Sequence, residues 1–380
     1  MRVLYIDLDC VRADHLGVNG YSRNTSPNID AIAREGITFT QCHCANSPCV
    51  PSRASLFSGR FGINNGVVAH HGVGEVFRGL SSGHWRDPEK PMLSEHLWHS
   101  GMKTTSFSSF ADRHNAWWFA NGWQELNTHT RKKGQETADE VNAAFLPYIK
   151  QNCEQDDWFI HLHYWDCHSH YRVPEEWVGR FHDEEGPAWP DAETIAAHQE
   201  FYGPRTARDL YTGYEFWMGD GMHAPVSYMP DAVRGEPFDG WAFQVWDHGI
   251  YTFTRSVRTE EYLLLTVLHP GLYPYDEPYY LYDLRTDLHQ CVDIAGERPE
   301  VVGDLLRMLH DWRDEQLRKG CAPDPLEAMV REGPFTYYAP EHMAARLAAA
   351  GRTSAAESLK RRLRRFHGGK YDGAFAQGIA

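Results

Sequence analysis

The sequence predicts an α/β fold, with a doubly wound, mostly parallel sheet flanked by helices and a smaller C-terminal α+β subdomain. Short apolar runs at residues 3–8, 103–107 and 158–164 are typical of buried parallel strands. Helical patterns separate these runs, and chemically active side chains follow the end of each one. Because α/β sheets bind ligands at the carboxyl ends of their strands, we expect a functional site there.

Composition limits the classes of function. The chain has 380 residues, 42% of them hydrophobic, which is typical of a globular protein with room for two domains. Its formal net charge of −15 argues against a nucleic-acid partner and suits a protein that attracts a divalent cation. No leader sequence, membrane helix or disulfide framework is recognised. We therefore predict a cytoplasmic protein without a membrane partner.

The chain is predicted to divide into three parts. Residues 1–215 form the main α/β domain, residues 216–322 the C-terminal subdomain, and residues 323–380 a helical tail. Within the subdomain, a hairpin is expected near residue 260, before a helix over Pro299–Lys319 that Gly320 ends. The tail carries a basic run, Lys360–Arg365, which is either a solvated helix end or a docking surface, for example for a second copy of the chain.

The stretch Ser47–Arg60 contains a cysteine at the start of a predicted helix. Pro51 suits the first turn of that helix, so Cys49 lies where backbone N–H groups and the helix dipole favour an anion. Arg53, four residues further on, lies on the same helix face and adds a permanent positive charge. This combination suits attack on a sulfate or phosphate ester.

The residues before this stretch give weaker signals. Residues 37–40 are predicted to form a strand that leads into the Cys49 loop. Cys42 and Cys44 flank His43, as in a fragment of a zinc site, but no second ligand pair follows at a useful spacing. We expect these two cysteines to pack beside the Cys49 loop.

The first strand ends in two acids. Asp7 and Asp9 lie two residues apart, so strand alternation places them on one face of the sheet. Carboxylates at the carboxyl end of a central strand suit a hard cation with oxygen ligands. Solvated acids at a strand exit are the alternative interpretation.

These motifs resemble the sulfatase family. The pattern Cys49-x-Pro51-x-Arg53 matches the signature by which sulfatases have a cysteine converted to formylglycine. The resemblance implies a formylglycine-generating enzyme as a partner and an active-site metal bound by Asp9, beside Cys49. Sulfatases often carry a second acid after that aspartate, and Cys10 occupies this position. The resemblance implies Ca²⁺, with Mg²⁺ or Mn²⁺ as alternatives.

Further site residues follow from the same resemblance. Residues 165–171 resemble the Pro-His-x-Pro-Tyr segment whose histidine binds the ester, and His168 takes that place. Arg113 and His114 could fill the roles of the lysine and histidine that hold the sulfate oxygens. The second half of the metal site is an Asp-His-Gly strand end, for which Asp247 and His248 are the candidates. The hairpin near residue 260 follows these two residues more closely than the corresponding hairpin does in sulfatases, which favours a missing internal segment.

By this resemblance, one oxygen of the formylglycine hydrate attacks sulfur and sulfate then leaves as the aldehyde reforms. Arg53 would hold the hydrate, while His168 and His114 would stabilise the ester oxygens. The substrate would be a sulfate ester of a small molecule or sugar. Two alternatives remain open. One is hydrolysis of phosphonate monoesters or phosphodiesters by the same fold, and the other is a catalytically inactive sulfatase-like binding protein.

Overall fold

The computed structural model describes most of the chain, and the described residues form two compact units. The first unit contains the described residues up to 185, apart from 72–74, and the second contains 72–74 and those from 193 onwards. The predicted domain boundary at 215 lies outside the described residues, so the predicted division stays a prediction. The described residues are 1–70, 72–78, 90–128, 130, 132–168, 174–177, 179–181, 183–185, 193, 253–270, 276–319, 323–332, 340–349, 351–370 and 372.

A parallel four-stranded sheet organises the first unit. Its order is β1-β4-β2-β3, so the first strand lies beside the last one. Asp7 of β1 is paired in register with His163 of β4, close to the carboxyl ends of both strands. All pairings are parallel, which confirms the predicted sheet. The strands are β1 (Arg2–Leu8), β2 (Lys103–Phe107), β3 (Glu125–Asn127) and β4 (Trp158–Tyr164).

Helices pack on both faces of this sheet at β4, which confirms the doubly wound arrangement. β1 lies at the edge of the described sheet and not at its centre as the sequence predicts, and its Leu4, Ile6 and Leu8 are exposed. Along β4, Phe159 packs with Val50 and Phe57 of the second helix, whereas Ile160 packs with Phe145 of the sixth. Alternation therefore sends odd-numbered β4 side chains to one helical layer and even-numbered ones to the other. The helices of this unit are α1 (Pro27–Glu35), α2 (Cys49–Ser58), α3 (Gly62–Asn65), α4 (Leu93–His99), α5 (Phe110–His114) and α6 (Ala138–Asn152).

Two expectations for the segment before α2 are wrong. Residues 37–40 form no strand, and the side chains of Ile37 and Phe39 are 82% and 78% exposed. A run this short needs a neighbouring strand to supply its hydrogen bonds and packing, and no described strand pairs with it. Cys42 and Cys44 are exposed instead of packed beside the Cys49 loop.

The described residues of the second unit form a three-stranded antiparallel sheet and four α-helices. Leu264 and Leu281 of the sheet are fully buried and pack against Val302 and Leu305 of a long amphipathic helix. The predicted hairpin and the helix at Pro299–Lys319 are both present. No helix in the described part of the chain combines the length and apolar composition needed to cross a bilayer. The elements are β5 (Phe253–Arg258), β6 (Tyr262–His269), β7 (Tyr279–Asp283), α7 (Pro299–Lys319), α8 (Pro325–Glu332), α9 (Pro340–Ala349) and α10 (Thr353–His367).

Candidate active site

Cys49 is the first residue of α2 and faces two imidazole rings. Its Sγ atom lies 3.4 Å from Nε2 of His70 and 3.9 Å from Nε2 of His114. The backbone N–H of Val50 also donates to Nε2 of His70, at 3.4 Å. The structure therefore brings the predicted His114 to the thiol and adds His70, which the sequence analysis missed. His70 follows a loop without periodicity, and no sequence signal pointed to it.

Arg53 connects α2 to the acids at the end of β1. Its Nε and Nη2 atoms donate to the two carboxylate oxygens of Asp7, each at 2.8 Å. Its Nη1 atom lies 2.9 Å from Oδ2 of Asp9, a contact that is an ion pair without hydrogen-bond alignment. Strand alternation explains the geometry, because residues 3, 5 and 7 of β1 point towards the α2 layer. Arg53 is thus fixed by two acids on the neighbouring strand.

Two buried histidines of β4 complete this network. Nε2 of His163 accepts a hydrogen bond from Nη2 of Arg53 at 3.0 Å, so Nδ1 carries the proton and donates to Ser108 Oγ at 2.9 Å. Nε2 of His161 lies 3.4 Å from Oδ2 of Asp7. Neither is among the site residues predicted from the sequence. Their spacing of two residues, like that of Asp7 and Asp9, was a signal that they share a face.

The network holds one more negative charge than positive charge. Burial raises the pKa of Asp9, but the Arg53 guanidinium, His163 and His168 together hold it well below its usual range. Burial likewise opposes ionisation of Asp7, and contacts with His161 and Arg53 lower its pKa. Burial and the neighbouring Arg53 lower the pKa of His163 to about 4, so this ring is neutral at pH 7. Two carboxylates thus face one guanidinium, and the excess charge favours a cation.

Asp9 also belongs to a second group, formed with Cys10 and His168. One ligand atom from each residue lies within 4.8 Å of the other two, and no other such group of three His, Cys, Asp or Glu side chains occurs among the described residues. Oδ1 of Asp9 accepts from the Cys10 thiol at 3.1 Å, on the side away from Arg53. Oxygen, sulfur and nitrogen donors at this spacing fit a divalent metal ion. We call these residues the Asp-Cys-His group.

The remaining predicted site residues lie elsewhere. Arg113 donates from Nη1 to the Lys133 carbonyl at 3.1 Å, and its guanidinium lies 5.2 Å from the centre of the Trp165 ring. It therefore points towards the loop at residue 133, where it makes no described contact with Cys49. Asp247 and His248 lie outside the described residues.

The chain is similar to known proteins in sequence and in fold. The family model described as Sulfatase matches residues 2–232. Human arylsulfatase H is 35% identical over 97 residues, which are 24% of this chain and only 17% of that relative. The chain therefore aligns with a small part of the length of the curated relatives it matches.

Solved structures show the same fold at low sequence identity. The phosphonate monoester hydrolase of Agrobacterium radiobacter superimposes with a TM-score of 0.54 at 16% identity, covering 83% of this chain and 96% of that one. The protein BT4656, in complex with its substrate D-glucosamine-2-N,6-O-disulfate, gives 0.53 at 12% identity, covering 86% and 99%. The family match spans more than half of the chain and includes the strand, the cysteine helix and the histidines described above. This chain therefore belongs to the sulfatase family.

Proposed function

We propose that the protein is a sulfatase-type hydrolase that cleaves a sulfate ester through a formylglycine derived from Cys49, with a divalent cation near Asp9. One observation carries the proposal. Arg53 of the Cys49 helix is paired with both acids at the end of β1, so the signature motif and the cation-binding acids form one site. The aldehyde of formylglycine, when hydrated, would supply an oxygen nucleophile for the ester sulfur.

The chain's own residues prepare this site for an anionic ester. Cys49 begins a ten-residue helix, whose N-terminal N–H groups and dipole favour a tetrahedral anion. His70 and His114 flank the side chain of residue 49, where they would hydrogen-bond to ester oxygens or pass a proton to the leaving group. Because both Arg53 and its acid partners are buried, Arg53 acts as a fixed positive charge beside residue 49.

We propose a sulfate ester of a small molecule or sugar as the substrate. The neighbour BT4656 was solved with a glucosamine disulfate, which supports the sugar class for a site with this fold. A formylglycine-generating enzyme would be the required partner. Ca²⁺ as the bound ion, a cytoplasmic location and self-association through the tail stay predictions from the sequence.

The test is to co-express the chain with a formylglycine-generating enzyme and analyse the peptide that contains residue 49 by mass spectrometry. We expect the aldehyde in place of the thiol, and hydrolysis of an aryl sulfate that Cys49→Ala abolishes. His114→Asn should lower kcat about 10²-fold or more, as expected for loss of a proton-transfer or anion-binding group. Full activity with an unmodified thiol would refute the formylglycine step, and the absence of both bound metal and ester turnover would favour the inactive binding protein.

Hydrolysis of a phosphonate monoester or phosphodiester is the second candidate. The structural similarity to a phosphonate monoester hydrolase supports it, and tetrahedral anions present similar oxygens to a helix N-terminus. Measuring kcat/KM for matched aryl sulfate and aryl phosphonate esters on the same preparation separates the two. A larger value for the sulfate supports the first proposal, and a larger value for the phosphonate supports the second.

A further inference from the structure

The Asp-Cys-His group is built by two neighbouring strands. Asp9 and Cys10 directly follow β1, and the N–H of Asp9 donates to the Tyr164 carbonyl at the end of β4, at 3.0 Å. His168 lies in the turn after β4, where its N–H donates to the Trp165 carbonyl at 2.7 Å. Backbone hydrogen bonds therefore fix where both loops begin. The three donor side chains meet because β1 and β4 are paired in parallel.

The two oxygens of Asp9 face different partners. Oδ2 lies beside Arg53, at 2.9 Å from Nη1, and 3.5 Å from Nε2 of His163. Oδ1 faces the Cys10 thiol. Asp9 and His168 are 3% and 5% exposed, whereas Cys10 is exposed, so the group has a buried oxygen and nitrogen and an accessible sulfur. Oδ2 of Asp9 thus pairs with Arg53, which leaves Oδ1 for an ion.

The donor atoms of the Asp-Cys-His group indicate which kind of ion it binds. Ca²⁺ takes six to eight ligands, all oxygen, and thiolate and imidazole do not suit it. Zinc accepts carboxylate oxygen, imidazole nitrogen and thiolate sulfur at about 2.0–2.3 Å from each, so the three donor atoms, which lie within 4.8 Å of one another, would draw closer together on binding. The Ca²⁺ that the family resemblance implies suits oxygen ligands, whereas this group adds a sulfur and a nitrogen to the carboxylate.

We infer that the Asp-Cys-His group binds a borderline divalent ion of the zinc class, with Cys10 as a thiolate ligand and His168 as an imidazole ligand. The inference rests on the proposed function, in which a divalent cation occupies the site near Asp9. On binding, the sulfur–metal bond replaces the S–H bond and the proton passes to solvent. No electron transfer is involved.

This assignment changes the role of His168. An imidazole nitrogen bound to an ion no longer donates to an ester oxygen. Contacts to the ester then fall to His70 and His114, the two rings that face Cys49. The inference therefore divides the histidines of the site into one metal ligand and two that face residue 49.

The experiment uses the full chain with Cys49→Ala, so that the thiol at residue 49 contributes no signal. After removal of metal with a chelator, the protein is titrated with Co²⁺ as a coloured probe for the zinc class. We expect one Co²⁺ per chain and an intense near-ultraviolet sulfur-to-cobalt charge-transfer band. Zn²⁺ should displace Co²⁺, whereas Ca²⁺ in about hundredfold excess should not, because thiolate and imidazole donors favour the former.

Matched variants identify the ligand. Cys10→Ser should remove the band and weaken Zn²⁺ binding at least about tenfold, because the site loses its thiolate donor. The double variant Cys42→Ser and Cys44→Ser should keep the band, since those exposed thiols lie outside the Asp-Cys-His group. Cys10→Asp provides an all-oxygen neighbour for Asp9, and it should shift the ratio of Ca²⁺ to Zn²⁺ affinity towards Ca²⁺ by about tenfold or more. Circular dichroism checks that each variant is folded.

The outcomes separate this inference from the proposed function. Tight Ca²⁺ binding without the band, or a band unchanged in Cys10→Ser, would overturn the zinc-class assignment. Neither result would contradict ester hydrolysis by the wild-type chain. A band that depends on Cys10, in a wild-type chain that carries formylglycine but hydrolyses no ester, would support the metal site and reject the proposed function.

Discussion

Among the described residues, an ionic cluster with a buried carboxylate occurs in each unit, and the two clusters are built in opposite ways. In the first unit one guanidinium, that of Arg53, serves two carboxylates. In the second unit one carboxylate, that of Asp324, serves two guanidinium groups: Arg255 Nη1 and Nη2 lie 3.0 and 3.1 Å from its oxygens, and Arg313 Nε lies at 3.3 Å. We call them the Arg53 cluster and the Asp324 cluster.

The difference between the clusters lies in the charge of their buried groups. Arg313 also pairs with Glu327 and, at 3.6 Å, with Asp314, but the side chains of these two acids are 46% and 63% exposed, so the buried carboxylate of Asp324 faces two guanidinium groups. It joins β5, α7 and α8, and the Leu326 N–H at the start of α8 donates to Asp324 at 3.0 Å. The charged groups of the Asp324 cluster therefore hold these three elements together. The Arg53 cluster keeps an excess negative charge beside the Asp-Cys-His group, as a cation site requires.

Replacing Arg53 should have the largest effect. Arg53→Ala leaves Asp7 and Asp9 buried with their shared cation removed, which should cost about 3–5 kcal/mol of stability in the first unit. Hydrogen exchange of peptides from β1 and β4 measures this loss. Arg2→Ala is the matched control, because its pair with Asp156 is exposed and should contribute less than about 1 kcal/mol. A loss of less than about 1 kcal/mol for Arg53→Ala would mean that Arg53 does not offset the charge of the two buried acids.

Adding a divalent ion should stabilise only the unit with the unbalanced cluster. At a free ion concentration of about 100 times Kd, the gain is about 2.7 kcal/mol for a site absent from the unfolded chain. Hydrogen exchange with and without Zn²⁺ should show slower exchange in β1 and β4, with β5 and β6 unchanged. Asp9→Asn should abolish the effect. Equal protection of both units would contradict the assignment of the cation to the first one.

The Asp324 cluster should respond to acid. Burial raises the pKa of Asp324, but Arg255 and Arg313 hold it below its usual range. Its contribution to stability is therefore present above the unfolded pKa of about 3.9 and is lost as the pH falls through the lower folded pKa. Asp324→Asn should cost about 2–3 kcal/mol at pH 7, less than the loss of Arg53 because Arg313 is partly exposed.

The pH profile of unfolding checks this sign. Wild-type stability of the second unit should fall below pH 4, whereas that of Asp324→Asn should change less over the same range. Parallel profiles for the two proteins would show that another group controls the acid response.

The basic run of α10 should give the smallest effect. Arg365 is exposed and donates from Nη1 to the Asp276 carbonyl at 3.2 Å. Arg365→Ala should therefore change stability by less than about 0.5 kcal/mol. Arg362→Ala is the comparison, because Arg362 is only 4% exposed and donates to Asp276 Oδ1 at 3.1 Å. A thermal unfolding scan of both variants should show a clear decrease in Tm for Arg362→Ala alone. Equal decreases would mean that the burial of Arg362 does not increase its contribution to stability.

Local patterns predicted many of the elements and part of the site. Apolar runs gave the strands that carry Asp7 and His163, and a cysteine followed by a helix pattern gave the start of α2. The family resemblance assigned Cys49 and His114 to the same ester site, and Nε2 of His114 lies 3.9 Å from the Cys49 sulfur. The partners of Arg53 could not be predicted, because alternation gives the face of a side chain and not the opposite residue on another element. His70 was missed for the same reason, since its position depends on the path of a loop.

The sequence by itself determined the family, the parallel sheet and the residue types at the site, because strand and helix periodicities and the cysteine motif are local properties of the chain. Tertiary structure decided that Arg53 pairs with two acids, that two imidazoles face Cys49, and that His168 joins Asp9 and Cys10. Cys49 and His70 are 21 positions apart and the other pairs are more than forty apart, so these contacts depend on how α2 packs beside β1 and on how β1 pairs with β4. Burial then sets their charges, because the pKa of each group depends on neighbours that the linear sequence does not specify.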